Sequence, residues 1–497
     1  MNSKYIYFLF LLSFLSLSLY AQRPITELDN YIEQARQQWN VPGLSVTIVK
    51  DGEVLLAKGY GVRSIDSNTP VDEHTLFMLG STTKAMTATA MAMLVDEGLI
   101  KWTDKVIDHL PWFQLKDPFI TRELTIKDLF THNSGLGNAD LLWVLWDYSN
   151  EEIVRRLRYL DASYSLRGGY TYQNIMYATA GLVIESVSGM RWSEFIHERL
   201  FEPLGMNRSC ALKSCAESFK NRSTPHYPTD KGIIEIIDSN ADSIGAAGSA
   251  WSSASDISKW MNFFLNNMEV DGTPLVSKEN YEFLQEPHVV IPKRQFYPTA
   301  TLTKPRFTTY SMGWFQHDYQ GDYVQFHTGS LNGSGAIIGL LPDHKLGVYV
   351  MVNLDHAEVR HAIMYKVFDF FTGKSDRDWS TDLLSLYTNI DDGRKNRLKD
   401  RDDARVKNTS PVLLNEDLMG TYVNEYLGKL EVVNDQDVLK VLCRKDRTIA
   451  LTHWHYDTFM GKIEQYEHDT GTLIDFNKTG MGEVSFTLYG HKFVRQD

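Results

Sequence analysis

Val41-Pro42-Gly43-Leu44-Ser45-Val46-Thr47-Ile48-Val49-Lys50 and Glu53-Val54-Leu55-Leu56-Ala57-Lys58-Gly59-Tyr60-Gly61 are two strand-like runs separated only by Asp51-Gly52. Gly at such a turn tolerates the positive backbone angle of a tight hairpin, so an antiparallel sheet is predicted to start here. Working outward, Ser81 to Leu99, Ile126 to Thr131 and Tyr177 to Val187 show helical spacing of apolar residues. Tyr323 to His327, Ala336 to Leu341 and Leu346 to Asn353 return to strand character, and His356 to Phe371 reads as a closing helix. Hairpin, helices, strands and helix in that order predict one discontinuous α+β domain over residues 22–374, an antiparallel sheet flanked by helices with a helical subdomain.

Beyond it, residues 375–410 are dense in charge, with Asp391-Asp392-Gly393-Arg394-Lys395 and Lys399-Asp400-Arg401-Asp402-Asp403, and are expected to be a solvated helix or linker. Residues 411–497 alternate apolar and polar positions between short turn signals and are expected to form a small all-β domain. At the other end, Lys4, an apolar run from Ile6 to Leu19 and Tyr20-Ala21-Gln22 have the layout of a signal peptide over residues 1–21, with an uncleaved anchor as the alternative. A periplasmic or secreted protein with no membrane span after cleavage is therefore expected.

The 497 residues are 43% hydrophobic and 23% charged, which excludes a disordered or fibrous chain. A net charge of -13 opposes binding to a phosphate backbone, so no nucleic-acid partner is expected. The three cysteines, Cys210, Cys215 and Cys443, are too few for a disulfide scaffold or a four-cysteine zinc site, and whether Cys210 and Cys215 pair stays open.

Three elements carry chemistry. Ser81-Thr82-Thr83-Lys84 follows Gly80 at the start of a helix rich in Ala and Met. At spacing three the hydroxyl and the amine share one helical face, and a desolvated Lys can take the proton that a serine must lose to become a nucleophile. Alone, the same residues read equally well as a helix cap followed by a surface Lys. The second element is Tyr172-Gln173-Asn174, where a phenol can relay a proton and an amide can orient a substrate carbonyl. Tyr148-Ser149-Asn150, Tyr387-Thr388-Asn389 and Tyr422-Val423-Asn424 match the same pattern, but lie at a helix cap, in the linker and in the β domain. The third is His327-Thr328-Gly329-Ser330 at the end of a strand, suited to lying along an acyl group with a backbone N–H aimed at an oxyanion. Lys478-Thr479-Gly480 is a rival in what looks like a hairpin turn of the β domain.

Taken in order, with Leu129-Phe130-Thr131-His132-Asn133-Ser134-Gly135-Leu136 between the first two and Glu202-Pro203-Leu204-Gly205-Met206 and Ala246-Ala247-Gly248-Ser249-Ala250-Trp251-Ser252-Ser253 beyond, these elements resemble the penicillin-recognising serine hydrolases. The likeness covers roughly residues 25 to 372 and is greatest to the class C β-lactamase and DD-peptidase branch, which also holds esterases and D-aminopeptidases. The tail resembles a small β module often appended to bacterial members. The resemblance implies a β-lactamase/DD-peptidase-like fold. It also implies that Ser81 is acylated, that Lys84 and Tyr172 move its proton, and that Asn174 contacts the substrate amide. The N–H groups of Ser81 and Ser330 would form the oxyanion hole, Thr328 would hydrogen-bond the substrate beside Gly329, and His327 would line the pocket and influence Tyr172. Whether Lys84 or Tyr172 is the formal base stays open, because coupled groups need not titrate separately.

β-Lactamases of this branch usually carry Lys where this chain has His327, and a neutral imidazole is a weaker anion site. A peptidase of D-amino-acid or DD-carboxypeptidase type, or an esterase, therefore ranks above a β-lactamase. A sensor of cell-wall fragments without turnover is the competing class. The substrate would be a small peptide, an ester or a β-lactam, with no metal or organic cofactor required. His453 and His455 could form a metal pair, but no third ligand is visible, and His132 is expected to fix a loop. The β domain is expected to shape the pocket mouth or dock on a partner rather than supply catalytic groups.

Overall fold

The computed structural model describes residues 24–445, 447–466 and 468–496. The expected signal peptide, residues 1–21, lies outside them. Asp51 and Gly52 both adopt positive φ, 52° and 85°, which twists the predicted hairpin in the sense its strands require. It joins β1 (Gly43–Lys50) to β2 (Glu53–Ser64), and β3 (Thr69–Pro70) follows. The later strands are β4 (Val289–Val290), β5 (Thr308–Tyr310), β6 (Phe315–Tyr319), β7 (Asp322–Leu331), β8 (Ser334–Leu341) and β9 (Leu346–Val352). Together they form one nine-stranded antiparallel sheet in the order β4-β5-β6-β7-β8-β9-β1-β2-β3.

The two ends of the domain meet where β9 pairs with β1, from Leu44 opposite Val352 to Lys50 opposite Leu346. β1 is buried on both faces. Leu44, Val46 and Ile48 pack with α1 (Ile25–Gln38) and α5 (Val359–Thr372), whereas Thr47 on the other face donates to the carbonyl of Ala254, the first residue of α4 (Ala254–Leu265). Alternation along one strand thus holds helices against both sides of the sheet.

Between strand and strand run α2 (Thr83–Asp96) and α3 (Asn174–Ser188), the centre of the helical region. α2 is buried from Thr83 to Leu94, and its Ala and Thr side chains let neighbours approach all round. The helix expected over Ile126 to Thr131 is only a 3₁₀ turn, Lys127–Leu129, because His132 follows at φ 59°, outside the right-handed helical region. The His327-Thr328-Gly329 segment, expected at a strand end, lies within β7, paired through Gly329 opposite Ala336.

The charged segment is α6 (Trp379–Asp403), whose first turn is anchored where Trp379 donates to Asp369 at 2.6 Å. Eight strands from Gly420–Asn424 to His491–Gln496 then close into a small barrel, the first pairing with the last. Closure leaves no open edge to pair with another chain. Cys210 and Cys215 are joined by a disulfide, and Cys443 is a free thiol. Among the described residues no helix is long and apolar enough to cross a membrane.

Candidate active site

β7 crosses directly over the turn that opens α2, backbone against backbone. A Cβ on Gly329 would stand 1.9 Å from the Leu79 carbonyl oxygen and 3.0 Å from the Ser81 nitrogen, and one on Gly80 would stand 2.7 Å from the Ser330 nitrogen. Only glycines permit this approach, and Gly80 also has φ +55°. The crossing brings the backbone at Ser330 close over that at Ser81. Arg360 of α5 braces β7 from behind, donating to the carbonyls of Gly329 and Ala336 and to Ser330 Oγ while its other edge pairs with Glu358.

Ser81 is half-buried, and Lys84 one turn on is wholly buried. Lys84 Nζ lies 3.0 Å from Ser81 Oγ, 2.7 Å from Asn174 Oδ1 and 2.8 Å from the Ala247 carbonyl oxygen. Burial pushes its pKa down to about 7, against the opposing charge of Asp140. In the neutral amine, two N–H groups satisfy the two pure acceptors, Asn174 Oδ1 and Ala247 O, and the lone pair is left facing the Ser81 hydroxyl.

Tyr172 comes from the loop before α3, its ring 4.8 Å below Lys84 Nζ. Its hydroxyl is buried and completes no hydrogen bond; Ser81 is near enough to favour its ionised form without forming one. Burial holds the phenol well above its ordinary pKa, so of the two groups the amine is the one free of its proton near neutrality. The loop is held by His132, as expected. Its carbonyl accepts from Thr171 N at 2.9 Å, its Nδ1 accepts from Gln173 N at 3.0 Å, and its ring lies 4.3 Å from that of Tyr172.

The structure thus gathers Ser81, Lys84, Tyr172, Asn174, Gly329 and Ser330. The Thr328 hydroxyl is hydrogen-bonded to that of Tyr297. His327 lies on the same face of β7 as Gly329, below the surface. It is 1% exposed because it lies in the middle of a strand covered by aromatic rings, with Nε2 taking the Tyr310 hydroxyl at 2.9 Å and Nδ1 donating to the Thr328 carbonyl. Burial pushes its pKa down to about 3, so it is a neutral group, its ring 6.1 Å from that of Tyr172. His453 and His455 are separated by a register shift and turn their ring nitrogens to the backbone at Tyr456 and Val406. Among the described residues no three potential ligands gather as a metal would need.

Two participants have no role assigned from the sequence. Ala247 contributes only a carbonyl. Asp140 lies 34 positions before Asn174 in an irregular segment, yet both of its oxygens accept from Asn174 Nδ2, at 3.0 and 3.2 Å. A further cavity of about 260 Å³ leads from Ser330 and Trp143 to the barrel, where Arg444, Arg447 and Tyr466 form its wall.

A buried amine beside a serine, at a helix start crossed by a strand, defines a serine hydrolase of the penicillin-recognising class, and comparison with known proteins agrees. The family model Beta-lactamase matches residues 28–367, and Domain of unknown function (DUF3471) matches residues 404–493. The chain therefore belongs to the beta-lactamase family, with a C-terminal DUF3471 region. It is 28% identical over 353 residues to Unguisins hydrolase ungD' of Aspergillus campestris, covering 68% of this chain and 64% of that protein. It is 25% identical to Protein flp of Staphylococcus aureus over 66% of this chain and 63% of that protein, so each match spans less than two thirds of the relative. The octameric penicillin-binding protein homologue from Pyrococcus abyssi shares the fold with a TM-score of 0.62 and 24% identity, over 95% of this chain and 100% of that one.

Proposed function

We propose that this protein is an exported serine hydrolase that forms an acyl-enzyme at Ser81 and cleaves an amide or ester bond, as a peptidase of D-amino-acid or DD-carboxypeptidase type or as an esterase. The observation that carries the proposal is the buried Lys84 amine, with its pKa near 7, 3.0 Å from Ser81 Oγ. Lys84 takes the serine proton as Oγ attacks the substrate carbonyl carbon, and the N–H groups of Ser81 and Ser330 hold the oxyanion. The C–N or C–O bond then breaks as Tyr172 passes its proton to the leaving group and takes one back from the Lys84 ammonium; water, giving its proton to the neutral Lys84, then attacks the acyl carbon, and the proton returns to Ser81 Oγ as the acyl chain leaves. The neutral His327 supplies no cation to that strand, which favours peptidase or esterase over β-lactamase. Export rests on the layout of residues 1–21.

A fluorophosphonate probe should label the purified protein covalently, and Ser81→Ala should reduce labelling by about three orders of magnitude or more. Equal labelling of the variant would refute the assignment. Turnover of p-nitrophenyl esters and D-alanyl peptides separates the enzyme from a sensor, which would bind such ligands and release no product.

A further inference from the structure

The amide of Asn174 has two faces, and only one of them serves Lys84. With its oxygen toward Nζ it accepts a proton-bearing edge of the amine; turned over, it would present a second donor to a donor and pull the lone pair away from Ser81. Nothing within Asn174 chooses between the two. Asp140 does, because both carboxylate oxygens accept from Asn174 Nδ2, and an acceptor pair there admits only the NH₂ group. The carboxylate is itself held. Trp143 Nε1 donates to Oδ1 at 3.0 Å and Asn138 Nδ2 to Oδ2 at 2.9 Å, so its plane is set from both sides.

Asp140 stands immediately before the one-turn helix Leu141–Val144, and the far end of that turn is gripped by the barrel. Arg447 donates to the Val144 carbonyl. Just beyond, Trp146 Nε1 donates to the Lys429 carbonyl at 3.3 Å, Tyr148 to that of Leu427 at 3.0 Å, and Arg156 to that of Tyr426 at 3.0 Å. Trp146 also stacks on Phe493 with 9° between the rings. One helical turn is a stiff connection, so the placement of Asp140 is set by the barrel at one end and by Asn174 at the other.

We propose that Asp140 is a positioning residue that orients Asn174 toward Lys84, and that the C-terminal barrel holds it in place, coupling the barrel to the serine–lysine pair. This rests on the role given to Lys84 above. Asp140 also acts by charge. The groups facing Lys84 are Ser81, Asn174, the rings of Tyr172 and Tyr177, the neutral His132 and His327, and Asp140, which supplies the carboxylate among them. A carboxylate favours the ammonium form, so removing its charge lowers the pKa of Lys84 further.

The test is the rate of fluorophosphonate labelling of the full chain as a function of pH. Asp140→Asn keeps an acceptor but loses the charge, and should move the acid limb to lower pH by about half a unit while the plateau falls only a few-fold. Asp140→Ala loses both, and its plateau should fall about tenfold or more. Arg447→Met, which frees Val144 from the barrel, should lower the plateau in the same direction by a smaller factor. An unmoved limb in Asp140→Asn, or a plateau unchanged in Asp140→Ala, would overturn the role of Asp140; wild-type kinetics in a folded Arg447→Met would overturn the coupling. If Ser81→Ala labels as well as wild type, the catalytic assignment fails instead, so the two failures are distinct.

Discussion

Thr-Gly preceded by a basic residue occurs twice in this chain, and the two copies have nothing in common beyond their letters. His327-Thr328-Gly329 lies inside β7, paired through Gly329 with β8 and pressed against Leu79 and Ser81. Lys478 ends a barrel strand opposite Val484, Thr479 and Gly482 close the following turn, and a Cβ on Gly480 would meet nothing within 4 Å. The barrel copy matches the commoner spelling of the motif, with a lysine that pairs with Asp417 at 2.8 Å on the surface. The difference teaches that the motif's chemistry comes from what its backbone is pressed against. In the proposed mechanism a strand can share in an anion hole only where a helix start lies under it.

The contrast can be broken most severely at the two lysines. Lys84→Met should lower the labelling rate by about a thousandfold and remove its acid limb, whereas Lys478→Met should leave both unchanged. The sign of the limb follows from burial: with a pKa near 7, Lys84 is neutral above that pH, so labelling should rise through about pH 7 and level off. A rate flat between pH 5 and 9 in wild type, as an assay range, would deny Lys84 the role of base. His327, at about 3, should contribute no step over the same range.

A smaller effect is expected at the glycines. Gly329→Ala forces a methyl within 1.9 Å of the Leu79 carbonyl and should lower labelling by about a hundredfold, with a reduced melting midpoint. Gly480→Ala should change neither quantity, since open space surrounds it. Equal tolerance at both positions, read by labelling and thermal melting, would show that the close crossing of β7 over the Ser81 turn is not needed. The smallest effect of the set is thus expected at the rival motif.

Much of the architecture was legible because it is written in local patterns. Asp51-Gly52 signals a hairpin by a conformational requirement, and the alternation beyond residue 411 signals strands by a period of two. The helix over Ile126 to Thr131 was misread because apolar spacing is indifferent to the left-handed backbone of His132. His327 was expected at the pocket surface because spacing says nothing of which rings will cover a strand.

What the sequence alone determined is the set of reactive groups and their order along the chain: a hydroxyl and an amine one helical turn apart, a phenol and amide ahead of a second helix, a small-residue strand. Their acidities, and the partners that aim them, were decided only by the tertiary structure. Desolvation of Lys84 needs α2, α3 and the carbonyl of Ala247 packed round one nitrogen. The orientation of Asn174 needs Asp140, brought from a segment with no regular pattern and steadied by a barrel some 300 positions further on. Electric fields and hydrogen-bond directions depend on distance in space, and a linear order of residues does not contain it.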